Sequence, residues 1–393
     1  SAPASASAPR ASPPGADDPS PALPSSALSH FRSSDLSASY ADRPSTLHDP
    51  DPSLGHTTFD LSEAAIVLSN YDLGVISAVR EFRRGSRHSP KLLIKSEKGA
   101  FILKRRAHGR DDPVKVAFTH QVQRKLAKAG YPLPRIALVR NTDPPLSMLN
   151  LGGRIYELFE YVRGEPYDMS LHATYEAGQG LALFHKILAE EKPDWEPPGT
   201  SYHRASFVPP NLAFIPHRLN DGSLVEISDF LRDAYIQAGN RVEDAGFAAW
   251  PRQIAHGDWH PGNMLFRGSK IVAVIDYDTA RVLPRGVDVA NGALQFSITR
   301  TGGDPDEWTA EPDEGRLKRF CRGYDSVALA LISQDELRAM PWLMIEAIIA
   351  EAALPIAATG RFGRFDAPPI LRMVQRKVRW LQSHGERIAR LVA

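Results

Sequence analysis

The chain reads His256-Gly257-Asp258-Trp259-His260-Pro261-Gly262-Asn263 and then, past a short apolar run, Val274-Ile275-Asp276-Tyr277-Asp278. It sets an aspartate, an asparagine five residues on, and a second aspartate at the end of a β-branched stretch, Ile271 to Ile275. Phosphoryl transfer needs three such groups: one orients the attacking hydroxyl and two hold magnesium against the phosphates. Magnesium takes oxygen donors and needs only one or two protein carboxylates beside substrate phosphates, so Asn263 with Asp276 suffices. Asp258 is then the candidate catalytic carboxylate, and Asp278 serves either the metal or its own loop. Read alone, Asp258 could equally be a turn aspartate bonding nearby backbone. A zinc site built on His256, Asp258 and His260 is the rival, since alternating residues of an extended segment share a face. No second His/Cys cluster at ligand spacing follows, and the two histidines read better as loop-packing residues.

Upstream of this motif the pattern is mostly strand. Asp60-Leu61-Ser62-Glu63 opens a capped helix. Val75–Phe82, Lys91–Lys95 and Ala100–Lys104 read as three short strands joined by turns at 84–90 and 96–99, which makes an antiparallel sheet. A helix follows with Asp112 as N-cap and Pro113 at its first position, burying Phe118, Val122 and Leu126. After Leu133 to Val139, a turn at 141–145 leads to a strand pair ending in Ile155 to Val162. From Tyr175 onward helices dominate, with candidates at 178–188, 227–245, 334–358 and 368–393. Residues 191–222, rich in Pro, His and Asn, read as an ordered insertion or a substrate-facing loop. Strands with one helix, followed by a helical region, make an α+β arrangement in two lobes.

The Asp258–Asn263–Asp276 pattern resembles the catalytic and metal-binding segments of protein-kinase-like small-molecule kinases, a group that includes the aminoglycoside phosphotransferases, choline kinases and type II homoserine kinases. The resemblance implies a two-lobed fold, with residues 56–162 as the nucleotide-binding lobe and 163–393 as the catalytic one. It implies ATP and Mg2+ as cofactors and a hydroxyl of a small molecule as acceptor. Lys104, ending Phe101-Ile102-Leu103-Lys104, resembles the strand lysine that pairs the α- and β-phosphates; Lys95 on the preceding strand is its competitor. Backbone groups of Glu160 and Val162, where the lobes should join, would meet the adenine edge. Asp288 resembles a later aspartate that anchors the catalytic loop. The chain departs from protein kinases twice. No acid lies between Asp112 and Asp143 to pair Lys104 from the helix, leaving His120, Gln121, Gln123 or Asp112 for that place. The loop 84–90 carries one glycine, so phosphate donors there reduce to Gly85 and Ser86. A Ser/Thr protein kinase and a nucleotide-binding pseudokinase or scaffold are the alternatives.

Composition narrows the rest. Forty-seven basic against forty-six acidic residues give a formal charge of +1, so no global field favours nucleic acid or an anionic membrane. One cysteine, Cys321, excludes an internal disulfide and reads as a small apolar residue. No apolar run approaches the ~20 residues of a membrane span, and the cytoplasm is the expected address. Residues 1–55, rich in Ser, Ala and Pro, read as a flexible tail without a signal-peptide core. The acceptor stays open: Trp259, Tyr277, Trp308, Arg281, Arg285, Asp304, Asp306 and Glu307 offer groups for a polycation, a quaternary amine or an amino acid.

Overall fold

A computed structural model describes residues 58–83, 89–300, 302–327 and 332–392. The expected tail at 1–55 and the expected phosphate donors Gly85 and Ser86 lie outside the described residues. The first lobe begins with helix α1 (Leu61–Leu68), closed by a capping box between Asp60 and Glu63. Strands β1 (Ile76–Glu81), β2 (Lys91–Ser96), β3 (Gly99–Arg105), β4 (Leu149–Leu151) and β5 (Arg154–Glu160) form one antiparallel sheet in the order β1-β2-β3-β5-β4. Its core, Val67, Ile94, Leu103 and Leu158 among others, lies between the sheet and α1.

Helix α2 (Pro113–Lys128) interrupts the sheet between β3 and β4, and Asp112 caps it by accepting Val114 N–H at 2.9 Å. Losing such a cap costs about 1 kcal/mol. The expected stripe of Phe118, Val122 and Leu126 is buried, but against the second lobe, in the same cluster as Leu181 and Phe184. The helix therefore ties the two lobes together.

The second lobe is helical: α3 (Leu171–Leu188), α4 (Val208–Leu219), α5 (Val225–Asp244), α6 (Gly286–Ser297), α7 (Glu314–Val327), α8 (Gln334–Thr359) and α9 (Ala367–Val392). Helix α3 starts seven residues before the expected Gly178, because Ser170 caps it through Ala173 N–H. It crosses α7 with almost no space between backbones. A Cβ on Gly178 would meet Phe320 O at 2.0 Å, and one on Gly323 would meet Tyr175 O at 2.1 Å. The segment 191–222, expected as an ordered insertion or a substrate-facing loop, contains α4. Prolines in its first turn and at Pro216 obscure the helical repeat of Val208, Leu212 and Ile215, which face the core. Helix α8 corrects a second expectation, being long and apolar enough to cross a membrane by length and composition; it is instead the mostly buried core helix, packed by α4, α5, α6 and α9.

Among the described residues, three short two-stranded antiparallel sheets complete the lobe: β6 (Arg252–Ala255) with β9 (Arg281–Pro284), β7 (Met264–Arg267) with β8 (Lys270–Val274), and β10 (Arg361–Phe362) with β11 (Phe365–Asp366). The first two frame the opening motif: β6 ends at Ala255, just before His256, and β8 ends two residues before Asp276.

Candidate active site

The loop after β6 is pinned from below. Asp288, in the first turn of α6, accepts His256 N–H at 2.6 Å and Gly257 N–H at 2.8 Å. Its Oδ2 also lies 3.2 Å from His185 Nε2, and His185 Nδ1 lies 2.9 Å from Tyr324 Oη. All three side chains are buried, so this network fixes the loop where water cannot compete. Gly257 is obligatory: its φ is +75°, and a Cβ would sit 2.7 Å from Thr279 O. The expected anchoring role of Asp288 matches these bonds.

Asn263 joins the two halves of the motif. Its amide nitrogen donates to Asp258 O at 3.0 Å and to Asp258 Oδ2 at 3.1 Å. Its backbone carbonyl accepts Ile275 N–H at 2.9 Å, so the segment bearing Asp276 runs alongside. With the amide protons given to Asp258, the side-chain oxygen of Asn263 is left for another group. Asp276 holds φ +63°, a left-handed conformation unusual for a non-glycine residue and typical of functional loops. Hard oxygen donors from an amide and a carboxylate fit a divalent cation that keeps its other positions for water and phosphate. Among the described residues no group of three or more His, Cys, Asp or Glu is arranged to hold a metal. His256 is fully buried, its ring 5.3 Å from Trp259 and 5.2 Å from Tyr277. That is packing, not zinc ligation.

His260 stands beside the Asp258 carboxylate, with Nε2 3.3 Å from Oδ2 and Nδ1 accepting Gly262 N–H at 3.1 Å. Burial opposes a charge on His260, but the Asp258 carboxylate overcomes it and holds the imidazole above its ordinary range.

Lys104 Nζ lies 3.5 Å from Asp278 Oδ2 and 3.7 Å from Glu157 Oε2. The glutamate missing from α2 is thus supplied by β5, directly across the ladder from Lys104. Of the four residues considered for that place, His120 occupies it without being the acid: its Nε2 contacts Glu157 Oε1 at 2.8 Å. Gln121 is exposed, Gln123 bonds Thr119 O, and Asp112 is spent on the cap. Arg106, two residues beyond Lys104, reaches Glu157 and Asp278 at 2.8 Å each. Burial alone would raise the Glu157 carboxyl, yet Arg106, Lys104 and the His120 bond pull it well below the usual carboxylate range. Lys95, opposite Ala100 near the other end of its strand, is exposed.

At the junction of the lobes, Glu160 ends β5 with its N–H given to Arg135 O at 2.8 Å. Tyr161 N–H bonds Ala100 O, which makes Phe101 and Glu160 a non-hydrogen-bonded pair and leaves the Glu160 carbonyl outside the ladder. Val162 follows in the connection.

The residues considered for the acceptor are mostly structural. Trp259, Tyr277 and Trp308 are buried, Arg281 serves Thr279 O and Thr200 O, Asp304 bonds Asp306 N–H, and Asp306 pairs with Arg372 and Arg376. Arg285 is half-buried at the start of α6, and Glu307 is exposed. A different wall borders Asp258. On α6, Asn291 donates to Trp259 O at 3.4 Å, and one turn on Gln295 donates to Glu351 of α8. Arg300, past the end of α6, lies over the Trp308 ring at 5.7 Å. Burial pushes the Glu351 carboxyl up, His260 and Arg300 counter it, and Asp258 adds to it, so these groups share one electrostatic neighbourhood. An acid inside the apolar run of α8, half-buried in the fold, was the signal available in sequence, since Glu rarely leaves the surface without a partner.

The fold has known counterparts. A homoserine kinase of Bradyrhizobium diazoefficiens is 25% identical over 352 residues, spanning 83% of this chain and 86% of the relative. A microcompartment-associated aminopropanol kinase superposes with a TM-score of 0.63 at 14% identity, covering 84% of this chain and 99% of that one. An amicoumacin kinase, solved with AMP-PNP, Ca2+ and its antibiotic, gives 0.61 at 12% identity, covering 83% and 94%. The model of the phosphotransferase enzyme family matches residues 78–330, well over half of the sequence, and the chain belongs to that family.

Proposed function

We propose that this phosphotransferase moves the γ-phosphoryl group of ATP, with Mg2+, to the hydroxyl of a small amino alcohol or hydroxy amino acid. The observation that carries the reading is Asn263 itself. Its side chain fixes Asp258 through the amide nitrogen, and its backbone carbonyl takes Ile275 N–H, so one residue ties the candidate catalytic carboxylate to the segment bearing Asp276.

Asp258 orients the acceptor hydroxyl and takes its proton as the O–P bond forms, help typically worth about 10²–10⁴ in rate. The bonds from Asn263 and the His260 contact hold that carboxylate in one rotamer before substrate arrives. Asn263 and Asp276 would hold Mg2+, which when bound neutralises charge on the transferring phosphates. Lys104, with 19% of its side chain exposed, is a cation able to reach a phosphate, whereas Arg106 at 5% is sequestered by its carboxylates. The Glu160 carbonyl and the Val162 N–H are the adenine-facing groups. The carboxylate of Glu351 supports an acceptor bearing a cationic nitrogen, and homoserine and aminopropanol, named for the relatives above, both carry one. Glu157 supplies the carboxylate partner of Lys104 that α2 lacks, which supports an active enzyme over a nucleotide-binding scaffold.

Steady-state ADP release across a panel of amino alcohols tests the reading. Asp258→Ala should abolish turnover while AMP-PNP still raises the melting temperature. Undiminished turnover in that variant would remove Asp258 from the reaction.

A further inference from the structure

We infer that Lys91 is a second phosphate-binding lysine, paired with Lys104 across the β2–β3 ladder to grip the polyphosphate of a nucleoside triphosphate. The inference rests on the ATP reading above and extends it to a residue outside the motif.

The register puts Lys91 directly opposite Lys104. Arg105 N–H bonds Pro90 O at 3.1 Å, so the two lysines form a non-hydrogen-bonded pair, the kind in which cross-strand side chains approach most closely and share one face. Like charges in that position destabilise a sheet. Here the repulsion is not relieved by a dedicated acid. Lys104 has Asp278 and Glu157 at 3.5 and 3.7 Å. Lys91, half-buried, has a single hydrogen bond among the described residues, to Ser89 O at 3.2 Å, and no carboxylate within ion-pair distance there.

The charged groups facing Lys91 come from three sides: Lys104 on β3, Glu157 on β5, and Asp276 and Asp278 on the loop after β8. Burial and then Lys104 lower its ammonium, the three acids raise it, and the balance stands at about 8. An ammonium that burial and a neighbouring lysine both disfavour, placed across the ladder from Lys104, is a group whose charge an anion would satisfy. The bland alternative is an aliphatic stem covering the sheet with its amine at the edge.

Melting curves and nucleotide titrations on the full chain separate the two. In Lys91→Met the cross-strand repulsion is gone, so the ligand-free protein should melt at or above the wild-type temperature. Its KM for MgATP should rise about 10- to 100-fold, the loss of one charge-assisted bond. The affinity for adenosine should not move, and Lys91→Arg should recover much of the loss. An unchanged MgATP response, or an equal loss of ATP and adenosine binding, would overturn the assignment. Lys104→Met serves as the control: if it loses ATP affinity while Lys91→Met does not, Lys91 fails and the kinase reading stands. If wild-type protein neither binds ATP nor releases ADP, both fall.

Discussion

Arg106, just past the end of β3 in the first lobe, and Asp278, on the loop after β8 in the second, meet at 2.8 Å although 172 positions apart in the chain. The guanidinium shares itself between Asp278 and the fully buried Glu157, so one cation couples the carboxylate that serves Lys104 to the loop that carries Asp276. Burial works against the Arg106 charge, and the two carboxylates more than restore it. The pair is therefore a joint between lobes and not a surface decoration.

Breaking that joint should be expensive. Arg106→Met leaves Glu157 buried with a weaker set of partners, and removing one member of a buried ion pair typically costs about 3–5 kcal/mol. Urea denaturation measures the loss. A change under about 1 kcal/mol would show that Lys104 and His120 alone carry Glu157. The variant's KM for ATP should also rise more than its KM for acceptor, because the groups set loose lie on the nucleotide side.

Asp288→Ala acts on the other flank. It strands the N–H groups of the buried His256 and the half-buried Gly257 and removes the contact to the buried His185. Each unmet buried donor costs about 1–3 kcal/mol. The catalytic loop loses its floor, so kcat should fall with the melting temperature even though Asp288 touches no reacting atom. A variant of normal kcat and lowered stability would show that Asn263 alone fixes Asp258.

Much of this was legible in sequence because local signals agree: turn residues between β-rich runs, Asp112-Pro113 before an apolar stripe, and a strand delivering Asp276. The partner of Lys104 was not. Glu157 sits in the apolar run Ile155-Tyr156-Glu157-Leu158, where strand alternation hides an inward-facing acid, and only the β3–β5 register sets it opposite Lys104. Arg106 and Asp278 meet through the closure of two lobes, which no window of sequence contains. Helix α4 was hidden by Pro209, Pro210 and Pro216, residues that ordinarily argue against a helix but here fall mainly in its first turn.

The Lys91 assignment fixes a pH dependence. Lysine binds phosphate as the ammonium, and kcat/KM reports the free enzyme's ionisations. With Lys91 near 8, kcat/KM for ATP should decline as pH rises through about 8. Below that pH the ammonium is fully formed and the dependence on this group disappears. Lys91→Met should lose the decline while keeping any acid limb. A wild-type profile flat from pH 7 to 9.5 would contradict it.

On the proposed reading, Glu351 selects the acceptor. Glu351→Gln keeps the side chain's shape beside Gln295 but removes the negative charge from the wall next to Asp258. For an acceptor with an ammonium group, KM should rise about 10- to 100-fold, the loss of a charge-assisted contact. The same alcohol without its amine should be handled alike by both proteins, and KM for ATP should not move. The sign with pH follows from the raised carboxyl of Glu351. Its useful anionic form is complete only above that raised value, so wild-type KM for the cationic acceptor should climb as the solution is acidified. The Gln variant should lack that climb. Equal losses for the charged and the amine-free acceptor would mean that Glu351 shapes the wall and reads no charge.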